Sequence, residues 1–159
     1  MGQNSTLSRF LLAFAAGFFA VLIFHQGMLA LLHAVNLTPR APFPTTPTPP
    51  LGIPQIWSSA FWGGIWGIVF AAIVSRFRQD TRYWVTALIF GAIAPTLVAW
   101  FVVAPLKNQP IAGGFQPASM LTGLLVNGAW GIGTALLLAL LLKLIANRGG
   151  FGDDRNRPL

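Results

Sequence analysis

The amino-acid sequence predicts an all-α integral membrane protein with four transmembrane helices. Of its 159 residues, 55% are hydrophobic and only 8% are charged, whereas soluble domains carry about 25% charged residues. The hydrophobic residues also form four long blocks, and a helix of about 20 such residues is enough to cross a bilayer core. We therefore expect a four-helix membrane domain, built as a tandem repeat of two helical hairpins with both termini in the cytoplasm.

The four apolar blocks divide the chain into helices and connections within one membrane domain. The predicted transmembrane helices, numbered 1 to 4 in chain order, cover residues 10–35, 56–75, 84–104 and 119–143. The remaining segments are an N-terminus 1–9, a proline-rich outer loop 36–55, a basic cytoplasmic loop 76–83, an outer loop 105–118 and a cytoplasmic tail 144–159. The first block exceeds the roughly 7–15 apolar residues of a cleavable signal peptide, so we expect it to stay in place as helix 1.

The basic residues predict the orientation in the membrane. The short connection RFRQDTRY, residues 76–83, holds three arginines and the tail holds three more, whereas the outer loops hold one basic residue each, Arg40 and Lys107. The positive-inside rule places the basic connection and both termini in the cytoplasm. We expect a multi-pass protein of the cell inner (plasma) membrane. The net charge of +7 is read as an orientation signal, so the expected partner is the lipid bilayer and no nucleic acid.

The first outer loop, LTPRAPFPTTPTPPLGIP, has seven prolines between Pro39 and Pro54. Proline fixes φ and removes a backbone donor, so we expect an extended, polyproline-like segment rather than a helix. Two interpretations follow. The loop is a stiff spacer between helices 1 and 2, or it is a docking surface for a partner, since such segments lose little entropy on binding.

Two short sequence matches indicate an internal repeat. GIWGI at 64–68 returns as GAWGI at 128–132, and LIF at 22–24 returns at 88–90. Each second copy lies 64 to 66 residues after the first. We infer a duplicated two-helix hairpin whose halves have the same orientation in the membrane.

Small residues recur every four positions in helices 2 and 4. Gly63 and Gly67 form a GxxxG pattern, and Gly123, Asn127 and Gly131 continue the same spacing in helix 4. Such stripes let helix backbones approach closely. We predict that Gly63, Gly67, Gly123 and Gly131 pack helices 2 and 4 against each other or against a second copy of the chain. A ligand lying on the bare backbones is the alternative.

Polar residues, helix breakers and bare glycines occur at similar depths in the four predicted helices. His25 lies about ten residues inside the outer end of helix 1, roughly 15 Å at 1.5 Å per residue, whereas His33 lies near that end. Polar side chains at such a depth usually face the bundle interior. We predict a small polar binding site whose members and walls are His25, Gln26, Thr96, Asn127, Trp66 and Trp130. The alternative is a hydrogen-bonded cluster that only fixes helix packing.

The residue types absent from the sequence limit the possible functions. The chain has no cysteine and no glutamate, and its three aspartates lie in predicted cytoplasmic segments. We find no catalytic constellation and no metal-binding cluster, and we predict neither a cofactor nor an enzyme. Three classes remain. The first is a non-catalytic accessory, assembly or structural subunit, and the second is a small oligomeric transporter or channel with its site at the His25 level. The third is a haem- or quinone-binding redox subunit using His25.

Overall fold

The computed structural model describes residues 2–74 and 80–150, and the side chains of residues 6–74 and 80–147. Four helices are long and apolar enough to cross a membrane, and they cover Thr6–Ala34, Gln55–Ile73, Thr81–Leu106 and Pro117–Asn147. This confirms the prediction of a helical, multi-pass membrane protein. The predicted basic loop falls largely on residues 75–79, and much of the tail falls on residues 151–159, so both lie outside the described residues.

Each helix begins and ends at defined residues. Helix 1 consists of the α-helical segments Gly2–Ala20 and Gln26–Ala34, joined by the π-helical segment Val21–His25. Helix 2 is Gln55–Ile73. Helix 3 consists of Thr81–Val98, the π-helical segment Ala99–Val103 and Ala104–Leu106. Helix 4 is Pro117–Gly150.

Helices 1 and 4 extend well beyond the apolar blocks that predicted them. Helix 1 begins at Gly2 rather than near residue 10, and helix 4 continues to Gly150 rather than ending near residue 143. Apolar residues mark the part of a helix that a bilayer can cover. Backbone hydrogen bonding continues through polar residues until a helix breaker intervenes, and Gly149-Gly150 is the first such pair in helix 4.

Helices 1 and 2 form the first hairpin and cross at glycine. A Cβ atom on Gly67 would overlap the carbonyl oxygen of Ala13 and would lie 3.1 Å from the Cα of Gly17. Gly63 lies against the carbonyl oxygen of Gly17, one turn further along. The two backbones are therefore in direct contact, which requires glycine at the crossing.

Helices 3 and 4 form the second hairpin with the same kind of crossing. A Cβ atom on Gly131 would overlap the carbonyl oxygen of Ala87 and would lie 2.9 Å from the Cα of Gly91. Gly91 in turn lies close to the carbonyl oxygen of Asn127. The glycines of helices 2 and 4 thus pack on the other helix of their own hairpin.

Aromatic side chains and one long-range hydrogen bond join the two hairpins. The ring of Phe90 lies 5.8 Å from Phe70, 5.8 Å from Trp66 and 6.5 Å from Trp130, measured between ring centroids. The indole N–H of Trp130 donates to the backbone oxygen of Gly17 at 3.0 Å. Helix 1 therefore packs on helix 4 as well as on helix 2.

Asp80 and Tyr83 organise the start of helix 3. The Asp80 carboxylate caps the helix by accepting from the backbone N–H groups of Arg82 at 3.0 Å and Tyr83 at 3.4 Å. The Tyr83 hydroxyl donates to the backbone oxygen of Ala135 at 2.8 Å. These bonds fix the rotation of helix 3 against helix 4 at what we call the Asp80 end of the bundle.

The proline-rich loop lies at the opposite end, which we call the loop end. It is not uniformly extended, because strand β1, Pro47–Thr48, pairs antiparallel with strand β2, Ile53–Pro54. Backbone oxygens of Pro44 and Thr46 accept from the first N–H groups of helix 2, at Ile56 and Gln55. Helix N-termini leave such groups without an intrahelical partner, so the loop completes the start of helix 2.

Candidate functional site

Gln26 connects helix 1 to the proline-rich loop. Its side chain is buried at 2% relative exposure, and its Oε1 accepts from the backbone N–H of Phe43 at 2.7 Å. A buried amide needs such a partner, because an unpaired polar group in an apolar setting costs about 1–3 kcal/mol. The loop therefore folds back onto helix 1 at Gln26.

The Gln26 amide also determines the proton position on a neutral His25. Since Gln26 Oε1 is the acceptor for Phe43, the other amide atom, Nε2, is a donor, and it lies 3.4 Å from His25 Nδ1. Nδ1 must then accept, so the ring carries its proton on Nε2. Within the described residues no hydrogen bond of His25 Nε2 is found, which leaves one N–H donor available at this position.

His33, Thr38 and Arg40 form a second attachment of the loop. His33 Nδ1 donates to the backbone oxygen of Thr38 at 3.1 Å, and the Thr38 hydroxyl accepts from the backbone N–H of Arg40 at 3.3 Å. The loop is thus held to helix 1 on both sides of Arg40, at His33 and at Gln26. This arrangement explains His33 by a local hydrogen bond.

The His25–Gln26 pair lies at the loop end of the bundle. Gln26 bonds Phe43, and the next loop residue, Pro44, bonds Ile56 in the first turn of helix 2. The pair is therefore near the level at which helix 2 begins, and helix 1 continues past it through the nine-residue segment Gln26–Ala34. Counting inward from the end of helix 1 overestimated the depth, because helix 1 projects beyond helix 2.

Thr96 and Asn127 form a separate polar pair between helices 3 and 4. Asn127 Nδ2 donates to the Thr96 hydroxyl at 2.8 Å, and that hydroxyl donates to the backbone oxygen of Gly123 at 3.4 Å. Thr96 is buried at 1% relative exposure. Gly123 faces the side chains of Trp100 and Thr96, so this glycine does not form a backbone crossing of the kind found at Gly131.

The predicted site residues thus fall into two polar groups and one aromatic group. The structure places His25 with Gln26, Thr96 with Asn127, and Trp66 with Trp130 around Phe90. Within residues 6–74 and 80–147, no hydrogen bond joins the first polar group to the second. Depth along a helix was read from the sequence, but helix rotation was not, and Asn127 is turned toward helix 3.

An apolar groove of about 440 Å³ lies between helices 1, 3 and 4. Its walls include Phe24, Met28, Leu88, Leu125 and Ile132. Such a lining favours an acyl chain or an apolar side chain over a polar solute. The described residues contain no group of three or more His, Cys, Asp or Glu side chains that could hold a metal ion.

Four structurally important residues were missed by the sequence reasoning. Gly17 and Gly91 each stand four residues after an alanine, at Ala13 and Ala87, and this small-residue spacing could have indicated the crossings. Phe43 had no comparable signal, because it contributes its backbone N–H rather than its side chain.

Comparisons with known proteins found no matching family model, no similar curated protein and no similar solved structure. Function is therefore inferred from the arrangement of residues in this chain.

Proposed function

We propose that this chain is a non-catalytic accessory, assembly or structural subunit of a larger complex in the cell inner membrane. The observation that supports this best is the folded proline-rich loop, which is attached to helix 1 and presents apolar side chains at its tip. Leu51 is 78% exposed there and Ile53 is 42% exposed. Because the loop is held in place before any partner binds, docking on it would cost little ordering entropy.

The internal polar groups support a packing role over a transport role. Asn127 is bonded to Thr96, Gln26 to Phe43, and Trp130 to Gly17. A transport pathway through the bundle needs polar groups that can exchange protein partners for solute. Here these donors are used within the chain, as expected for a rigid assembly subunit.

The basic residues support the orientation that goes with this role. Both termini and the basic connection would face the cytoplasm under the positive-inside rule. The loop end, with Arg40 and Lys107 as its basic residues, would face outward. The docking partner would then meet the protein on the outer side of the inner membrane.

The two glycine crossings support an origin by duplication of one hairpin. Gly67 and Gly131 make equivalent contacts and are 64 residues apart, whereas their partners Gly17 and Gly91 are 74 apart. The crossing partners are 50 residues apart in the first hairpin and 40 in the second, so the first loop accounts for the difference. The LIF match, at 66 residues, does not fall on equivalent crossing positions.

A matched pair of loop variants tests the docking role. Leu51 and Leu106 are 78% and 79% exposed at the loop end, but only Leu51 lies at the tip of the proline-rich loop. We expect Leu51→Asp to reduce co-purification of partner polypeptides after gentle extraction from the native membrane, and Leu106→Asp to leave it unchanged. Equal retention of every partner by both variants would refute docking through the loop tip.

A small oligomeric transporter or channel is the second candidate. The observation that favours it is the π-helical segment Val21–His25 in helix 1, since π-helical turns are frequent at functional sites. The native mass of the extracted protein separates the two candidates. Other polypeptides in the assembly support the accessory role, whereas a homo-oligomer that carries only lipid supports transport.

A further inference from the structure

Arg40 occupies the middle of the loop segment that is attached to helix 1 at both ends. The bond from His33 to Thr38 holds one side, and the bond from Phe43 to Gln26 holds the other. The backbone N–H of Arg40 is itself bonded to Thr38. The position of Arg40 is therefore set by the fold, although the residue as a whole remains exposed.

The guanidinium of Arg40 is directed toward His25 and is partly desolvated. It lies close enough to the His25 ring for the two groups to interact electrostatically. Surrounding protein atoms lower the pKa of Arg40 from its ordinary value through burial, but an arginine remains charged at neutral pH. The cation is thus held near the free Nε2–H donor of His25.

No counter-charge accompanies this pair of donors. The chain has no glutamate, and Asp80, the one aspartate among the described residues, caps helix 3 at the opposite end of the bundle. Within residues 6–74 and 80–147, the Arg40 guanidinium makes no hydrogen bond or ion pair. A partly desolvated cation without an anion is unfavourable unless a ligand supplies the charge.

We propose that Arg40 and His25 bind one phosphate-bearing anion at the loop end of the bundle. The planar guanidinium offers two parallel N–H groups that match phosphate oxygens, and the His25 ring adds a third donor. The phosphate has two possible sources, a phospholipid headgroup at the membrane interface or free inorganic phosphate. The apolar groove that begins at the next residue, Phe24, could hold an acyl chain of the lipid.

Titration of the full-length protein in neutral detergent tests this site. The probes are phosphatidylglycerol, phosphatidylcholine and inorganic phosphate, and native mass spectrometry counts the bound molecules. We expect Arg40→Gln to weaken phosphatidylglycerol binding about tenfold, the loss expected for a charge-assisted hydrogen bond. His25→Phe should weaken it in the same direction. Lys107→Gln removes the basic residue of the other loop and should leave binding unchanged.

The outcomes separate the two sources of phosphate. Binding of phosphatidylglycerol that excess inorganic phosphate does not displace identifies a lipid site, whereas saturable, Arg40-dependent binding of inorganic phosphate alone identifies a free-anion site. Equal binding of phosphatidylcholine, or equal losses for Arg40→Gln and Lys107→Gln, would overturn the proposal. The site does not depend on the accessory role, because partner retention is measured separately with the Leu51 variant.

Discussion

The indole N–H of Trp130 donates to the backbone oxygen of Gly17 at 3.0 Å across the interface between the two hairpins. Trp130 is 2% exposed, and Gly17 is the residue at which helix 1 crosses helix 2. One side chain of helix 4 is therefore bonded to the backbone contact point of the first hairpin. This bond makes the packing of one hairpin depend on the position of the other.

Trp130→Phe should destabilise the bundle by about 1–2 kcal/mol, the upper range for interhelical hydrogen bonds in membranes. Phenylalanine keeps most of the apolar contact and removes the N–H donor. Unfolding in mixed micelles of increasing denaturing-detergent fraction measures the loss. Trp66→Phe is the control at the corresponding motif position, since Trp66 contacts Phe90 through its ring. An equal effect of both variants would mean that ring size, not the hydrogen bond, matters.

Gly131→Ala should destabilise the protein by about 1–3 kcal/mol, the usual cost of overpacking. The added methyl group would overlap the backbone oxygen of Ala87, and a backbone atom cannot move aside as a flexible side chain can. Gly27→Ala is the control, because no atom lies within 4 Å of a Cβ atom at that helical position. Thermal unfolding followed by tryptophan fluorescence compares the two. A Gly131→Ala protein as stable as Gly27→Ala would contradict the close crossing.

Thr96 and Asn127 should show a coupling energy of about 1 kcal/mol in a double-mutant cycle. The variants are Thr96→Val, Asn127→Ala and the double variant, and the measured quantity is the free energy of unfolding. Coupling is expected because Asn127 donates directly to the Thr96 hydroxyl at 2.8 Å. Strictly additive effects would show that each residue bonds something other than its partner.

Gln26→Leu should release the proline-rich loop from helix 1. The backbone N–H of Phe43 would lose its acceptor, so its hydrogen exchange should become about tenfold faster, which corresponds to about 1.4 kcal/mol of lost protection. Exchange measured by mass spectrometry on peptides containing Phe43 reports this. Gln109→Leu, in the other loop, is the control. Unchanged exchange at Phe43 in Gln26→Leu would show that the loop is held by other contacts.

The composition and the blocks of apolar residues were enough to predict the membrane class and the four helices. A helix that must satisfy all its backbone groups in lipid has to be long and apolar, and this requirement is local in sequence. The glycines at 63, 67 and 131 were also recognisable as packing positions, because small residues at four-residue spacing lie on one helix face. Their partners Gly17 and Gly91 could not be assigned, because choosing which helices pair requires the three-dimensional arrangement.

The candidate site shows where sequence reasoning ended. Thr96 and Asn127 do meet, but His25 and Gln26 bind a loop residue 17 positions away from Gln26 instead of joining them. That outcome depends on helix rotation and on the path of a loop whose contacts are made by backbone atoms, and neither leaves a residue pattern. The sequence by itself determined how many helices there are and what a bilayer requires of them. Only the tertiary structure decided which polar groups satisfy one another and left Arg40 beside His25 without an anion, because hydrogen bonds and charges depend on distance and direction.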